Sequence, residues 1–118
     1  MNKELETKLK TIADHYGLGI QMTKLAEECG EYAASSLKTA VYIDMKNNGH
    51  PAEYCYEKID EAQDSTLKEL ADVMVVIKQV EYLLEEEAPE LKETIERLMT
   101  EKVNRQLTRI EQEKNHGK

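Results

Sequence analysis

The chain has 118 residues, of which 40% are hydrophobic and 34% are charged, and it contains neither Phe nor Trp. This length suits one domain with one core, and the composition is that of a soluble globular protein rather than a disordered one. A formal net charge of −8 at pH 7 argues against nucleic-acid binding through a basic surface, and a polyanionic substrate would be repelled unless a cation reversed the local field.

The N-terminus and the two cysteines favour a cytoplasmic protein. The segment "MNKELETKLK" has no apolar signal core, and no apolar run is long enough to cross a membrane. Cys29 and Cys55 do not have the spacing of a metal site, so we interpret them as reduced thiols. We expect neither a membrane nor a nucleic-acid partner.

Apolar residues at helical spacing predict an all-α antiparallel bundle of four to five helices, formed by residues 1–118 as one domain. We expect four helices in chain order, at about residues 2–14, 20–45, 64–86 and 89–113. The pattern of residues 52–63 is weakly periodic and fits either a short helix or an ordered loop. Residues 114–118 are expected to form a frayed polar tail.

Turn-forming residues set the expected helix ends. Gly49 and Pro51 follow the second helix and should stop it. Asp64 or Ser65 can cap the start of the third helix. Pro89 ends the third helix and suits the first turn of the fourth.

The second helix carries a crowded acidic segment, "KLAEECGEY", at residues 24–32. Its apolar stripe is centred between Leu25 and Cys29, which places Glu28 at the edge of the stripe. Glu31 lies beside Glu28 and further out, and Glu27 points further round the helix. Like charges one turn apart destabilise a helix by a few tenths of a kcal/mol per pair, roughly, so this crowding needs a reason.

The third helix carries an acid on its apolar face. Val73, Val76 and Val80 define the stripe of "KELADVMVVIKQV", and Glu69 falls inside it, with Asp72 at its edge. A carboxylate on a core stripe costs at least several kcal/mol, roughly, unless it is paired or bound to a metal. Glu69 is therefore the most anomalous residue of the chain.

Together, the two helices would gather four carboxylates around one volume: Glu28, Glu31, Glu69 and Asp72. Hard divalent cations with oxygen ligands are the natural counter-charge. We expect Mg²⁺, which also binds phosphates, with Mn²⁺ as an alternative ion. Simpler interpretations remain open, because acidic runs are usually solvated helix faces. Glu69 could also form a capping box with Thr66, or pair with a lysine.

Two other functional classes were compared with a metal-dependent enzyme. A di-iron carboxylate bundle needs Glu-x-x-His on two helices, but the single such pair here is Glu113 and His116, in the predicted tail. A non-catalytic helical interaction protein, with an acidic face for a basic partner, stays open as the alternative. It predicts that Glu69 can be replaced by Gln without loss of function.

The motifs "EECGE" and "ELAD" resemble the EExxE…ExxD signature of the all-α nucleoside triphosphate pyrophosphohydrolases, the MazG-like superfamily. The likeness extends to "HYGLGIQMTKLAEECGEYAAS", which is similar to the first conserved helix of that family. The segment "EKVNRQLTRI" resembles its basic C-terminal helix. The resemblance covers about residues 15–45 and 65–112, and residues 46–64 match nothing in the family pattern.

The resemblance implies a dimeric or tetrameric all-α enzyme that uses Mg²⁺ to cleave a nucleoside triphosphate to the monophosphate and pyrophosphate. Carried over by motif, the metal ligands and catalytic acids would be Glu28, Glu31, Glu69 and Asp72. Glu27 matches the first acid of the motif and is assigned a role beyond the direct ligands, such as activating water. The candidate phosphate-binding residues are basic side chains: Lys102, Arg105 and Arg109 on the last helix, and Lys24 and Lys38 on the second helix.

Overall fold

The computed structural model describes residues 1–116, and it contains helices but no strand within that range. The helices are α1 (Lys3–Tyr16), α2 (Leu18–Asn47), α3 (Ala52–Glu87) and α4 (Leu91–His116). The predicted all-α class is confirmed. None of these four helices has an apolar stretch that could cross a bilayer.

Local residue chemistry sets the first two helices. The side chain of Asn2 caps α1 by accepting a hydrogen bond from the Leu5 amide at 2.7 Å. Gly17 is the single residue between α1 and α2. Its φ of 84° lies in a region where a residue with a side chain would be strained. Its amide donates to the Ala13 carbonyl at 2.8 Å, and its carbonyl accepts from the Gln21 amide at 3.1 Å. The two helices therefore meet at a sharp, hydrogen-bonded corner.

The chain divides into two compact units, Met1–Leu83 and Leu84–Lys118. In the first unit, α2 and α3 pack antiparallel. The Ser35 hydroxyl lies 3.2 Å from that of Ser65, and the Thr39 hydroxyl lies 3.0 Å from that of Thr66. Glu31 precedes Ser35 by one turn of α2, and Glu69 follows Ser65 by one turn of α3. Because the helices are antiparallel, these two acids come to the same level along the pair.

Helix α1 packs against the later turns of α3 within the first unit. The buried Gln79 side chain donates to the Leu9 carbonyl at 3.4 Å, and the Tyr82 hydroxyl donates to Asp14 at 3.0 Å. The core of the described chain is made of small and medium apolar residues: Leu9, Ala13, Cys55, Ala62, Val73, Val76 and Val80. The acidic residues of both motifs lie on α2 and α3 within this unit.

The predicted start of the third helix at Asp64 or Ser65 is wrong, because α3 begins at Ala52. Residues 52–63 are the first third of that helix, so they form neither a separate short helix nor a loop. The segment buries Cys55 and Ala62, two residues seven apart and therefore on one face. Both are small, so the apolar period was weak in the sequence.

The predicted bounds of the last helix also differ from those observed. Helix α4 begins at Leu91 rather than Pro89, and it continues through His116 instead of ending at Glu113. The expected frayed tail is thus helical as far as His116, while residues 117–118 lie outside the described residues. No residue of α4 is buried.

The predicted apolar stripe of α2 is displaced from its true inner face. Cys29 and Met22 are exposed, while Gln21 and Glu28 are the buried residues of the helix. The inner face of α2 is therefore largely polar, and an apolar period cannot locate it. Glu28 lies at the centre of the buried seam rather than at its edge.

Candidate metal centre

Three of the four predicted metal ligands meet between α2 and α3. Glu28, Glu69 and Asp72 each offer a carboxylate oxygen, and these oxygens lie within 4.8 Å of one another. Glu28 is buried, Glu69 is half-buried and Asp72 is exposed, so the cluster opens to solvent on the Asp72 side. Three anions this close repel each other strongly unless a cation lies among them.

Two oxygens of the cluster are buried without a hydrogen-bond partner among residues 1–116. They are Oε2 of Glu28 and Oε2 of Glu69. The other oxygen of Glu28 accepts from Lys24 Nζ at 3.0 Å. A buried carboxylate oxygen without a partner costs free energy that a hard cation with oxygen ligands would recover. The donor set therefore fits Mg²⁺ or Mn²⁺.

Glu31 borders the cluster, although its side chain is exposed. The negative charge of Glu28 raises the pKa of the Glu31 carboxyl, and the charge of Glu69 and hydrogen bonding to both neighbours act in the same direction. This coupling shows that the Glu31 carboxyl feels both acids. Glu31 is not one of the acids whose oxygens lie within 4.8 Å of one another, so its role as a fourth ligand remains a prediction.

The raised pKa of Glu31 predicts how stability changes with pH in metal-free protein. Below its ordinary value of 4.5, Glu31 is protonated in both the folded and unfolded states. As pH rises through the higher folded pKa, ionisation becomes harder in the folded state than in the unfolded one, so stability is lost. Glu31→Gln lacks this titration. The wild-type melting temperature should therefore fall relative to the variant as pH rises above 4.5.

Melting curves of both proteins in EDTA, across the acid range, measure this difference. Saturating Mg²⁺ should reduce or reverse the difference in melting temperature between wild type and Glu31→Gln, because a bound cation favours the ionised carboxylate. A difference in melting temperature that does not change with pH would contradict the coupling of Glu31 to the cluster.

Glu27 and Lys24 occupy the outer edge of the site. Glu27 is exposed, as the sequence predicted, and its carboxylate lies 3.9 Å from Lys24 Nζ rather than with the three clustered acids. Its proposed role in activating water remains a prediction. The neighbouring acids, first of all Glu28, raise the pKa of Lys24, so this lysine is a fixed positive charge beside the cluster.

The basic residues of α4 remain predicted phosphate-binding residues. Lys102, Arg105 and Arg109 are all exposed on α4, in the second compact unit. None of them forms an ion pair among the described residues, which leaves their charges available to a ligand. Their predicted role rests on the sequence.

A cavity of about 420 Å³ adjoins the acidic cluster within the first unit. Glu28, Asp72 and Lys24 line one part of it. The remaining wall carries apolar side chains from three helices: Ile12, Tyr16, Ile20, Val75 and Val76. Ligand-binding cavities are typically about 300–1,000 Å³ and mainly apolar, with a few converging polar groups.

Two buried amides in this cavity were missed as site residues. Gln21 and Gln79 both line it, and they are only 4% and 3% exposed. Gln79 falls on the apolar stripe of Val73, Val76 and Val80. Gln79 is thus, like Glu69, a polar residue on a core stripe, and this signal is visible in the sequence.

Comparisons with known proteins add no relative. No protein-family model matches the chain, and neither a curated protein nor a solved structure shows significant similarity to it.

Proposed function

We propose that this protein is a Mg²⁺-dependent nucleoside triphosphate pyrophosphohydrolase of the MazG-like superfamily, acting in the cytoplasm. The observation that carries the proposal is the meeting of Glu28, Glu69 and Asp72 between two helices, with two buried carboxylate oxygens that lack a partner. These acids belong to the motifs "EECGE" and "ELAD", on which the family resemblance rests.

The proposed reaction is attack of water on the α-phosphorus of the substrate. The water oxygen bonds to that phosphorus, and the bond to the oxygen bridging the α- and β-phosphates breaks. The bridging oxygen leaves with the electron pair as part of pyrophosphate, the nucleoside monophosphate remains, and the proton of the water passes to solvent. When bound, Mg²⁺ supplies charge neutralisation at the phosphate oxygens and acidifies a coordinated water.

The chain's own residues would position this chemistry. Glu28, Glu31, Glu69 and Asp72 would hold the cation at the mouth of the cavity. Lys24, 3.0 Å from Glu28, holds one carboxylate oxygen in place and presents its remaining donors to a phosphate. A protein of net charge −8 could then accept a polyanion, because the cation inverts the field locally.

The apolar cavity beside the acids suits the nucleoside half of such a substrate. Its wall includes the exposed ring of Tyr16, which offers a flat face to a base. The amides of Gln21 and Gln79 provide donors and acceptors at the inner end. The cavity and the acids together therefore match a ligand with an aromatic end and an anionic end.

The alternative, a non-catalytic protein whose acids bind a basic partner, fits the geometry less well. A partner's lysine or arginine needs exposed carboxylates, whereas Glu28 is buried and already paired with Lys24. The chain has exposed acids for such a partner, but binding through them does not explain why Glu28 and Glu69 have buried carboxylate oxygens between α2 and α3.

The proposal is tested by incubating purified protein and Mg²⁺ with a panel of canonical and modified nucleoside and deoxynucleoside triphosphates. Chromatography should show monophosphate and pyrophosphate in equal amounts for at least one of them. Release of orthophosphate, or no product from any member of the panel, would refute the proposal. The panel also identifies the preferred base and sugar.

We expect the enzyme to be a homodimer or homotetramer, because large apolar side chains stay uncovered in the single chain. Leu37, Leu67 and Met74 are 68%, 59% and 53% exposed, and a second copy is the simplest cover. Tyr82 does not belong to this uncovered set, because it is half-buried and its hydroxyl donates to Asp14. Light scattering at micromolar concentration should give at least twice the 13.6 kDa chain mass. A monomer would contradict this expectation.

A further inference from the structure

A second polar cavity lies on the same pair of helices as the acidic cluster, towards the other end of the hairpin. Its volume is about 170 Å³, and apart from Ala62 its lining is polar, with two lysines and one acid: Ser35, Lys38, Tyr42, Lys58, Glu61 and Ser65. Two lysines and three hydroxyl-bearing side chains line it, in a chain whose net charge is −8. Such a concentration of donors is the chemistry that binds phosphate groups.

One of the two lysines is not neutralised within the described residues. Lys38 forms no ion pair there. Lys58 lies 3.7 Å from the Glu61 carboxylate, and its ammonium also lies 5.9 Å from the centre of the Tyr54 ring. The cavity therefore carries a net positive charge. In a protein whose overall field repels anions, this is a local reversal of the kind that a polyphosphate requires.

Hydroxyl groups lead from the seam between the helices to the cavity. Thr66 donates to the Ser35 hydroxyl at 3.1 Å, and Ser35 donates to the Ser65 hydroxyl at 3.2 Å. The Ser65 hydroxyl accepts from Ser35 and donates to no other described residue. The row of hydroxyls thus ends in a free donor on the wall of the cavity.

The distance to the acidic cluster fits a polyphosphate chain. Ser35 follows Glu31 by four residues on α2, and Ser65 precedes Glu69 by four residues on α3. Because the helices are antiparallel, both serines are displaced from the acids in the same direction along the helix pair. Each displacement is about 6 Å, at 1.5 Å per residue. The lysine side chains can reach back across part of that distance. The terminal phosphates of a substrate held at the acids would extend towards the cavity.

We propose that this cavity binds the β- and γ-phosphates of the substrate and retains them as pyrophosphate after cleavage, with Lys38, Lys58 and Ser65 as the binding residues. The inference rests on the proposed function for the direction of cleavage. It places the substrate along the hairpin, with its base in the 420 Å³ cavity, its α-phosphate at the acids and its leaving group at the lysines.

Calorimetry with inorganic pyrophosphate and Mg²⁺ tests the site without turnover. Replacing both lysines in Lys38→Gln/Lys58→Gln should weaken pyrophosphate binding about tenfold or more, since charge-assisted hydrogen bonds are lost. Ser65→Ala should weaken it less. The matched control Lys8→Gln, which removes an exposed lysine of α1, should bind pyrophosphate as the wild type does. Nucleoside monophosphate affinity should be unchanged in all variants.

The outcomes separate this proposal from the proposed function. If triphosphates are hydrolysed but the double variant keeps wild-type affinity for pyrophosphate, the cavity is not the leaving-group site and the enzyme assignment stands. If no triphosphate is hydrolysed, yet pyrophosphate binds the wild type and not the double variant, the anion site stands alone. Absence of pyrophosphate binding to wild type, or equal loss of monophosphate binding in the double variant, overturns the cavity proposal.

Discussion

Glu69→Gln should abolish most of the turnover and all of the stabilisation by Mg²⁺, without destabilising the metal-free protein. The substitution keeps the shape of the side chain and removes its charge. Oε2 of Glu69 is buried without a partner and lies in the cluster with Glu28 and Asp72. Relief of repulsion among these acids should leave the metal-free variant as stable as wild type, or more stable.

Melting curves with and without Mg²⁺, together with pyrophosphate release, measure both halves of this prediction. Glu57→Gln is the matched control, because it makes the same change at an exposed position of α3. A capping role for Glu69 is excluded, because Thr66 and Glu69 lie inside α3, which begins at Ala52. A surface-pairing role predicts a change in stability of about 1 kcal/mol or less and normal activity. Wild-type turnover in Glu69→Gln would therefore refute its role as a ligand. A large loss of metal-free stability would instead indicate a structural hydrogen bond.

Removing the metal should have the second large effect. EDTA should abolish hydrolysis, and excess Mg²⁺ should restore it, because the carboxylates alone repel the substrate phosphates. Mg²⁺ should also raise the melting temperature, because it binds only the folded protein. At a free Mg²⁺ concentration one hundred times the dissociation constant, the free energy of unfolding should rise by about 2.7 kcal/mol.

The Glu69→Gln variant is the control for this stabilisation, since general salt effects would act on both proteins. Mn²⁺ should replace Mg²⁺ in both assays, as it prefers the same oxygen ligands. Full turnover in EDTA would contradict the metal assignment, even if hydrolysis of nucleoside triphosphates were established.

The parts of the fold with strong apolar periods were predictable. The stripe of Val73, Val76 and Val80 located the second half of α3, and all three residues are buried. The first third of the helix, residues 52–63, was not predicted because small residues, Cys55 and Ala62, supply its buried face. Residues 52–63 are helical because they have adequate helix propensity and contain no Pro or Gly after Pro51. Neither property gives a strong apolar pattern.

The candidate site was predictable where a charge fell on an apolar stripe, and unpredictable where the stripe itself was polar. Glu69 was found by its position among valines. Glu28 was placed at the edge of its helix face, because the inner face of α2 carries Gln21 and Ser35 in place of apolar residues. The pairing of Ser35 with Ser65, and with it the polar cavity, depends on the register of two helices, which no local pattern specifies.

The central claim is that the clustered acids support hydrolysis at the α-phosphorus, and labelled water tests it most directly. A substrate found in the panel is hydrolysed with Mg²⁺ in ¹⁸O-enriched water, and the products are examined by ³¹P NMR. The proposed reaction predicts one ¹⁸O atom in the nucleoside monophosphate, unlabelled pyrophosphate, and no product from Glu69→Gln. Label in pyrophosphate or orthophosphate, or equal hydrolysis by the variant, would contradict it.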